Sequence, residues 1–233
     1  MCAAPTQRSS VGPRPKARKG VLIVDDHPVF RSGLAHLIGG EADLRVSGEA
    51  GDGAQALAAL ERELPALVLV DISLPGRNGL ELLKDLQAVA PTIPVLVLSM
   101  HDEALYAERV LRAGGRGYIM KTEGGPRLLE AMRHVLGGRI YVSEKMAARF
   151  LEGVSGRRRD PGGSPLEQLT DKEFEVLQLL GQGKGTREVA RQLHVSMKTI
   201  EVHRGHIKEK LGLKSAPELM RFAVRWTESG GGS

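Results

Sequence analysis

Residues 66–72 read ALVLVDI, five apolar side chains running into an aspartate with no polar residue between them. A strand of that composition is buried on both faces, as in a parallel sheet covered by helices on each side. Four more segments of strand length flank it: VLIVDD (21–26), LRVSGEA (44–50), PVLVLSM (94–100) and GRGYIMK (115–121). Between and after them lie stretches with helical period, about 28–39, 53–62, 79–90, 103–112 and 125–136. Five such repeats predict a doubly wound α/β domain over 21–140 with a five-stranded parallel sheet. In that architecture functional side chains gather at the carboxyl ends of the strands.

Those ends carry a distinctive set of groups. Asp25 and Asp26 close the first strand, Asp71 the third, Ser99 the fourth and Lys121 the fifth. With the first and third strands adjacent, three carboxylates share one edge, and like charges so placed require a cation between them at neutral pH. An all-oxygen set completed by water suits Mg²⁺. A carboxylate nucleophile, a divalent ion, a hydroxyl and an ammonium around one point form a phosphoryl-transfer constellation. Taken singly, each residue has an innocuous reading: Asp-Asp ahead of a helix caps it, a serine does the same, and a lysine after a strand faces solvent. The coincidence of all five at successive strand ends decides against those readings.

Two other patterns compete. Gly51 to Ala56 fits a GxGxxA dinucleotide fingerprint, but it follows the second strand rather than the first, and glycines opening a helix explain it better. An Asp-nucleophile phosphatase of the haloacid dehalogenase type needs an acid two residues after the nucleophile, where this chain has Ser73.

The segments VDDHPVFRSGL, LVDISLPGRNGLELL, VLSMHDE and GYIMK resemble the receiver domain of two-component response regulators, in order and spacing, over roughly 20–137. The resemblance implies Asp71 as the phosphoacceptor. It also implies Mg²⁺ held by Asp25, Asp26, Asp71 and the backbone carbonyl of Ser73. Ser99 is then the hydroxyl switch, Tyr118 the aromatic whose ring changes orientation, and Lys121 the phosphate contact. Asn78 stands where such domains often carry an aspartate. No catalysis is implied beyond the domain's own phosphorylation and dephosphorylation.

Beyond a short helix at about 143–152, the run GVSGRRRDPGGSP (153–165) has linker composition. Residues 141–165 are thus expected to be linker helix and flexible linker. The rest of the chain has only helical period, about 171–181, 185–193, 197–211 and 216–226. Thr170 with Glu173, and Ser215 with Glu218, match capping boxes, and Ser196 is placed to cap the third helix. A tight turn at His194 and Val195 makes the middle pair a helix-turn-helix in a small all-α domain over 166–227. Ile200, His203, Ile207 and Leu211 recur on one face of the third helix; Lys198, Glu201, Val202, Gly205 and Lys208 occupy the other, which can enter a major groove.

LTDKEFEVL, GKGTREVARQL, VSMKTIEVHRGHI and KLGLKS are similar to the LuxR-type DNA-binding domain over about 166–226, so the chain resembles response regulators of the NarL/FixJ type. By that resemblance Lys198, Thr199 and His203 meet phosphates, and Glu201, Val202 and Gly205 face base edges. A core role for His203 stays open. Lys208, Lys210 and Lys214 add nonspecific attraction. The implied partners are a sensor histidine kinase and double-stranded DNA, with a homodimer forming on phosphorylation. Leu219, Ala223 and Trp226 are expected either to form an exposed dimer seam or to pack on the other three helices.

Composition agrees with a globular regulator. Hydrophobic residues are 41% and charged residues 26% of 233, the net charge is +5, and aromatics at 3% are too few for a single-strand stacking platform. Basic excess lies in residues 1–20 (+5) and within residues 181–225 (+6), and the second of these blocks is where phosphates would be met. No apolar run approaches the roughly 20 residues of a membrane span. One cysteine, Cys2, excludes an internal disulfide and a cysteine-based metal site, which makes the cytoplasm the expected compartment. Residues 1–20, basic and rich in Ala, Pro and Ser, and residues 228–233 are expected to be disordered tails.

Overall fold

The computed structural model describes residues 17–74, 79–101, 103–154 and 165–228. The remainder of the expected N-terminal tail (1–16), Asn78, most of the expected flexible linker (155–164) and the last five residues lie outside the described residues. The first domain runs β1 (Lys19–Val24), α1 (Pro28–Gly39), β2 (Leu44–Ala50), α2 (Gly53–Arg62), β3 (Leu67–Asp71), α3 (Gly79–Val89), β4 (Val95–Ser99), α4 (Glu103–Arg112), β5 (Gly117–Met120) and α5 (Gly125–Leu136). All strand pairs are parallel, in the order β2-β1-β3-β4-β5.

Alternation along the strands divides the core between two faces. Val21, Ile23, Leu67, Leu69, Leu96 and Leu98 pack with α1 and α5, whereas Leu22, Val24, Val68, Val70, Val95 and Val97 pack with α2, α3 and α4. Both sides of β3 are therefore sealed, which is why its apolar run is unbroken. Gly53 opens α2 behind Asp52, whose side chain accepts from the Gln55 N–H at 2.8 Å, so the glycine pair serves a helix start.

Two boundaries differ from the sequence expectation: Glu228, placed there in the C-terminal tail, is the last residue of the final helix, and the first strand starts earlier. Lys19 and Gly20, assigned there to the disordered tail, are the first residues of β1. The Lys19 N–H bonds the Asp43 carbonyl at 2.8 Å. The Arg18 guanidinium donates to the carbonyls of Leu44, Gly39 and Glu41 at 2.5, 2.9 and 2.7 Å, tying the end of α1, the following connection and the start of β2 together. The basic side chain that reads as tail composition is a clamp.

After α5, Tyr141 pairs with Gly117 and covers the open edge of β5. Helix α6 (Glu144–Val154) then packs on α4 and buries Met146. The C-terminal domain comprises α7 (Asp171–Gly181), α8 (Thr186–Gln192), α9 (Met197–Lys210) and α10 (Ala216–Glu228). Its caps follow the sequence: Thr170 and Glu173 form a reciprocal capping box, and Ser196 accepts from the Thr199 N–H at 3.0 Å. Ser215 accepts from the Glu218 N–H at 3.3 Å, while the Glu218 carboxylate reaches back to the Lys214 N–H instead. His194 turns the chain between α8 and α9 with φ of 53°, a conformation that a short polar-tipped side chain tolerates.

The alternative of an exposed seam on α10 is corrected by the packing. Leu219 and Ala223 are fully buried against the other helices, and the Trp226 ring meets Phe174 of α7 edge-on at 5.4 Å. An amphipathic helix at the end of a small bundle needs its apolar stripe for the domain's own core.

Candidate functional site

The sheet order reverses at β1 and β3, and the crevice at their carboxyl ends is where such folds bind ligands. Asp25 follows β1 and Asp71 ends β3, both nearly inaccessible to solvent. Ligand atoms of Asp25, Asp26, His27 and Asp71 all lie within 4.8 Å of one another. Lys121, just beyond β5, places its Nζ 2.7 Å from Asp25 Oδ2 and 2.8 Å from Asp71 Oδ2. Its ammonium also rests 4.4 Å from the centroid of Phe30.

Burial pushes the Asp71 carboxyl above its ordinary range, against the pull of Lys121 and of the Ser73 N–H, which donates to Oδ1 at 3.1 Å. The same burial works against the Lys121 charge, but its bonds to Asp25 and Asp71 together raise its pKa above the usual value. Asp25 Oδ1 accepts from the His27 N–H at 2.8 Å. Among the described residues Asp26 Oδ1 is buried and accepts no hydrogen bond, although His27 Nδ1 lies 2.7 Å away. Three carboxylates whose oxygens converge in this way, one of them met only by an imidazole nitrogen among the described residues, fit a hard cation with oxygen ligands.

Ser99 ends β4 fully buried, and its Oγ accepts from the His101 N–H at 3.1 Å. Tyr118 is buried too, with its hydroxyl donating to the His101 carbonyl at 2.7 Å. Among the described residues the sequence-derived set at this end of the sheet is thus brought together: Asp25, Asp26, Asp71, Ser73, Ser99, Tyr118 and Lys121. Three neighbours escaped the sequence reading, namely His27, Phe30 and His101. Only His27, sitting next to the Asp pair, carried any local signal.

On the second domain, α9 buries Ile200 and Ile207 and exposes Lys198, Glu201 and Val202, the last about half accessible. Thr199, Gly205 and Lys208 are partly exposed. Glu201 is engaged by Arg204 at 2.9 Å and by the Thr186 hydroxyl at 3.1 Å. Lys210 is directed away from this face, its Nζ 2.6 Å from the buried Glu173 carboxylate of α7. Burial opposes the Glu173 charge, yet Lys210 and the Thr170 bonds hold its pKa below the usual value. Among the described residues His203 Nδ1 is buried without a hydrogen-bond partner, and desolvation lowers that ring's pKa. Its geometry is that of a packed ring.

Among the described residues no helix is long and apolar enough to cross a membrane. Comparison with known proteins separates the chain into the same two parts. Residues 21–133 match the response regulator receiver domain, and residues 167–223 match the luxR family of bacterial regulatory proteins. The oxygen regulatory protein NreC of Staphylococcus aureus is 37% identical over 209 residues, covering 88% of this chain and 96% of NreC. Among solved structures, RcsB of Salmonella enterica serovar Typhimurium, bound to promoter rprA in the presence of the phosphomimetic BeF3-, is similar with a TM-score of 0.64. Identity to it is 25%, over 89% of this chain and 98% of that one. A LuxR-family response regulator from Aurantimonas is 28% identical with a TM-score of 0.55, over 60% of this chain and 99% of that one. The chain belongs to the two-component response regulators that join a receiver domain to a LuxR-type DNA-binding domain, and is a transcriptional regulator rather than a classical enzyme.

Proposed function

We propose that Asp71 accepts a phosphoryl group from the phosphohistidine of a sensor histidine kinase and that the modified receiver changes how the C-terminal domain engages double-stranded DNA. In the transfer an Asp71 carboxylate oxygen forms the bond to phosphorus as the phosphorus–nitrogen bond breaks. Asp25, Asp26, Asp71 and the Ser73 carbonyl would hold Mg²⁺, which when bound neutralises charge on the transferring group. Lys121 stabilises another oxygen of that group, and Ser99 donates to one. Tyr118 follows Ser99 inward. The observation that carries this reading is the pairing of one ammonium with two buried carboxylates, with the Asp26 carboxylate beside them in one cluster of ligand atoms.

In the same reading residues 21–140 are the receiver, 141–165 the connection and 166–227 the DNA-binding domain. The phosphorylated chain pairs as a homodimer, and exchange with a kinase and with DNA places it in the cytoplasm. Acetyl phosphate or beryllofluoride with Mg²⁺ should change both oligomeric state and DNA affinity, and Asp71→Asn should respond to neither. The reading fails if wild type is unaffected and Asp71→Asn behaves like it.

Lys198, Thr199, Val202, Gly205 and Lys208 form the proposed DNA face, with Glu201 freed from Arg204 on contact. Lys210 and His203 are proposed as packing residues that reach phosphates only secondarily. Lys198→Ala should weaken binding about equally on every sequence and reduce the slope of log affinity against log salt by about 1. Filter binding across a salt series checks this; loss confined to one sequence would assign Lys198 to base reading.

A further inference from the structure

His101 lies two residues beyond Ser99 and has no part in the proposed phosphoryl chemistry. It nevertheless touches that site in three ways. Its N–H donates to Ser99 Oγ at 3.1 Å, its carbonyl accepts from the Tyr118 hydroxyl at 2.7 Å, and its Nε2 lies 3.1 Å from Ser73 Oγ. The imidazole is also stacked on Tyr106 of α4, with centroids 5.1 Å apart and planes 27° from parallel.

Tyr106 leads into the other domain. Its ring meets Phe174 of α7 edge-on at 5.2 Å, and its hydroxyl donates to Gln178. One turn further along α4, Arg109 bonds the Leu166 and Leu169 carbonyls at 2.7 and 2.9 Å and the Asp171 carboxylate at 3.1 Å. Its guanidinium lies 4.5 Å from the Phe174 centroid. Lys84 of α3 adds a second ion pair to Asp171 at 2.6 Å. A cleft of about 370 Å³ remains between the domains, lined by Asp26, Ser73 and His101 on one side and by Gln178, Gln192 and His194 on the other. In this docked arrangement Lys198, Glu201 and Val202 of α9 stay exposed, so docking sets where the reading helix points without covering it.

We infer that His101 is the positioning residue through which the state of the Asp71 site reaches the DNA-binding domain. The inference rests on Asp71 being the phosphoacceptor. When Ser99 Oγ turns toward a phosphoryl group, the His101 N–H loses its acceptor. The Tyr118 hydroxyl and the imidazole then change place together, because both are bound to that one residue. Tyr106 loses the ring it stacks on, and its bond to Gln178 loosens. Two discrete arrangements of a packed aromatic chain transmit the change, and each must interact differently with the phosphoryl group for the balance to shift.

Trp226, the single tryptophan, packs on Phe174 and so reports docking through its emission in the full-length chain. Acetyl phosphate with Mg²⁺ should change that emission in the wild type in proportion to the phosphorylated fraction, read by intact mass. His101→Ala should be phosphorylated to the wild-type extent while the emission change per phosphoryl group falls at least about fivefold. Gln178→Ala, remote from Asp71 and cutting the far end of the chain, should show the same loss. Far-UV circular dichroism verifies that both are folded. A wild-type emission change in phosphorylated His101→Ala or Gln178→Ala overturns the inference, as does a wild type that is phosphorylated without any change. A wild type that is never phosphorylated overturns the phosphoacceptor reading instead.

Discussion

Lys121→Ala is expected to lower receiver stability by about 3–5 kcal/mol at pH 7.5 in the absence of divalent ions, the cost of leaving buried charge without its partner. Lys121 is the ammonium shared by Asp25 and Asp71, and all three side chains are almost wholly enclosed. Without it one carboxylate must take a proton. Carrying a carboxyl from a pKa near 4 to protonation at pH 7 costs about 4 kcal/mol at 1.36 kcal/mol per unit, which agrees with that range.

The pH dependence has a definite sign. Burial already raises Asp71, and the variant removes the first opposing influence, so the folded state binds a proton that the unfolded state releases. Stability of the variant relative to wild type therefore improves as pH falls through the raised pKa and worsens as pH rises. Urea unfolding followed by circular dichroism at pH 7.5 and 5.5 should show the deficit shrinking at the lower pH. Millimolar Mg²⁺ should also restore part of it, since an ion bound only by the folded protein stabilises by mass action. A deficit that ignores both pH and Mg²⁺ would mean that Lys121 acts through packing on Phe30 rather than through charge.

The site was legible in the sequence to the extent that it is periodic. Asp25, Asp26, Asp71, Ser99 and Lys121 each terminate an apolar run, and a parallel sheet brings strand ends together whatever the loops do. Helix limits were legible for a related reason, because Thr170 and Ser196 are caps whose chemistry is local. His101 and Phe30 were not, since their partners lie on other elements and neither residue type marks its own role. The partners of Arg18 and Lys210 were hidden in the same way. A basic side chain reads as tail or phosphate contact until the structure shows the Gly39 carbonyl or the Glu173 carboxylate waiting for it. The α10 stripe had two physically valid uses, a seam or a core, and only the depth of α7 packing decides between them. Docking of the domains through Tyr106 and Arg109 was invisible because polar residues at an interface have the same composition as an exposed helix face.

Two glycines of the DNA-binding domain are expected to respond to alanine with opposite signs. At Gly181, the last residue of α7, a Cβ would overlap Thr227 Oγ1 and stand 2.5 Å from the Ala223 carbonyl of α10. Thr227 can rotate, but the Ala223 carbonyl belongs to a helix held by its own core. The α7–α10 contact must open, so Gly181→Ala should cost about 3 kcal/mol, the upper end of ordinary overpacking. Urea unfolding read by Trp226 emission should register it directly, because Trp226 sits on the helix that moves. A variant as stable as wild type would show that α10 yields freely. Gly205, in the interior of α9, has no atom of the described residues within 4 Å of a Cβ position, so Gly205→Ala should stabilise the free domain by roughly 1 kcal/mol through helix propensity alone. The same methyl projects from the face that holds Lys198 and Val202. If α9 enters the groove there, the more stable variant should bind DNA more weakly, and unchanged affinity would place the duplex against another face.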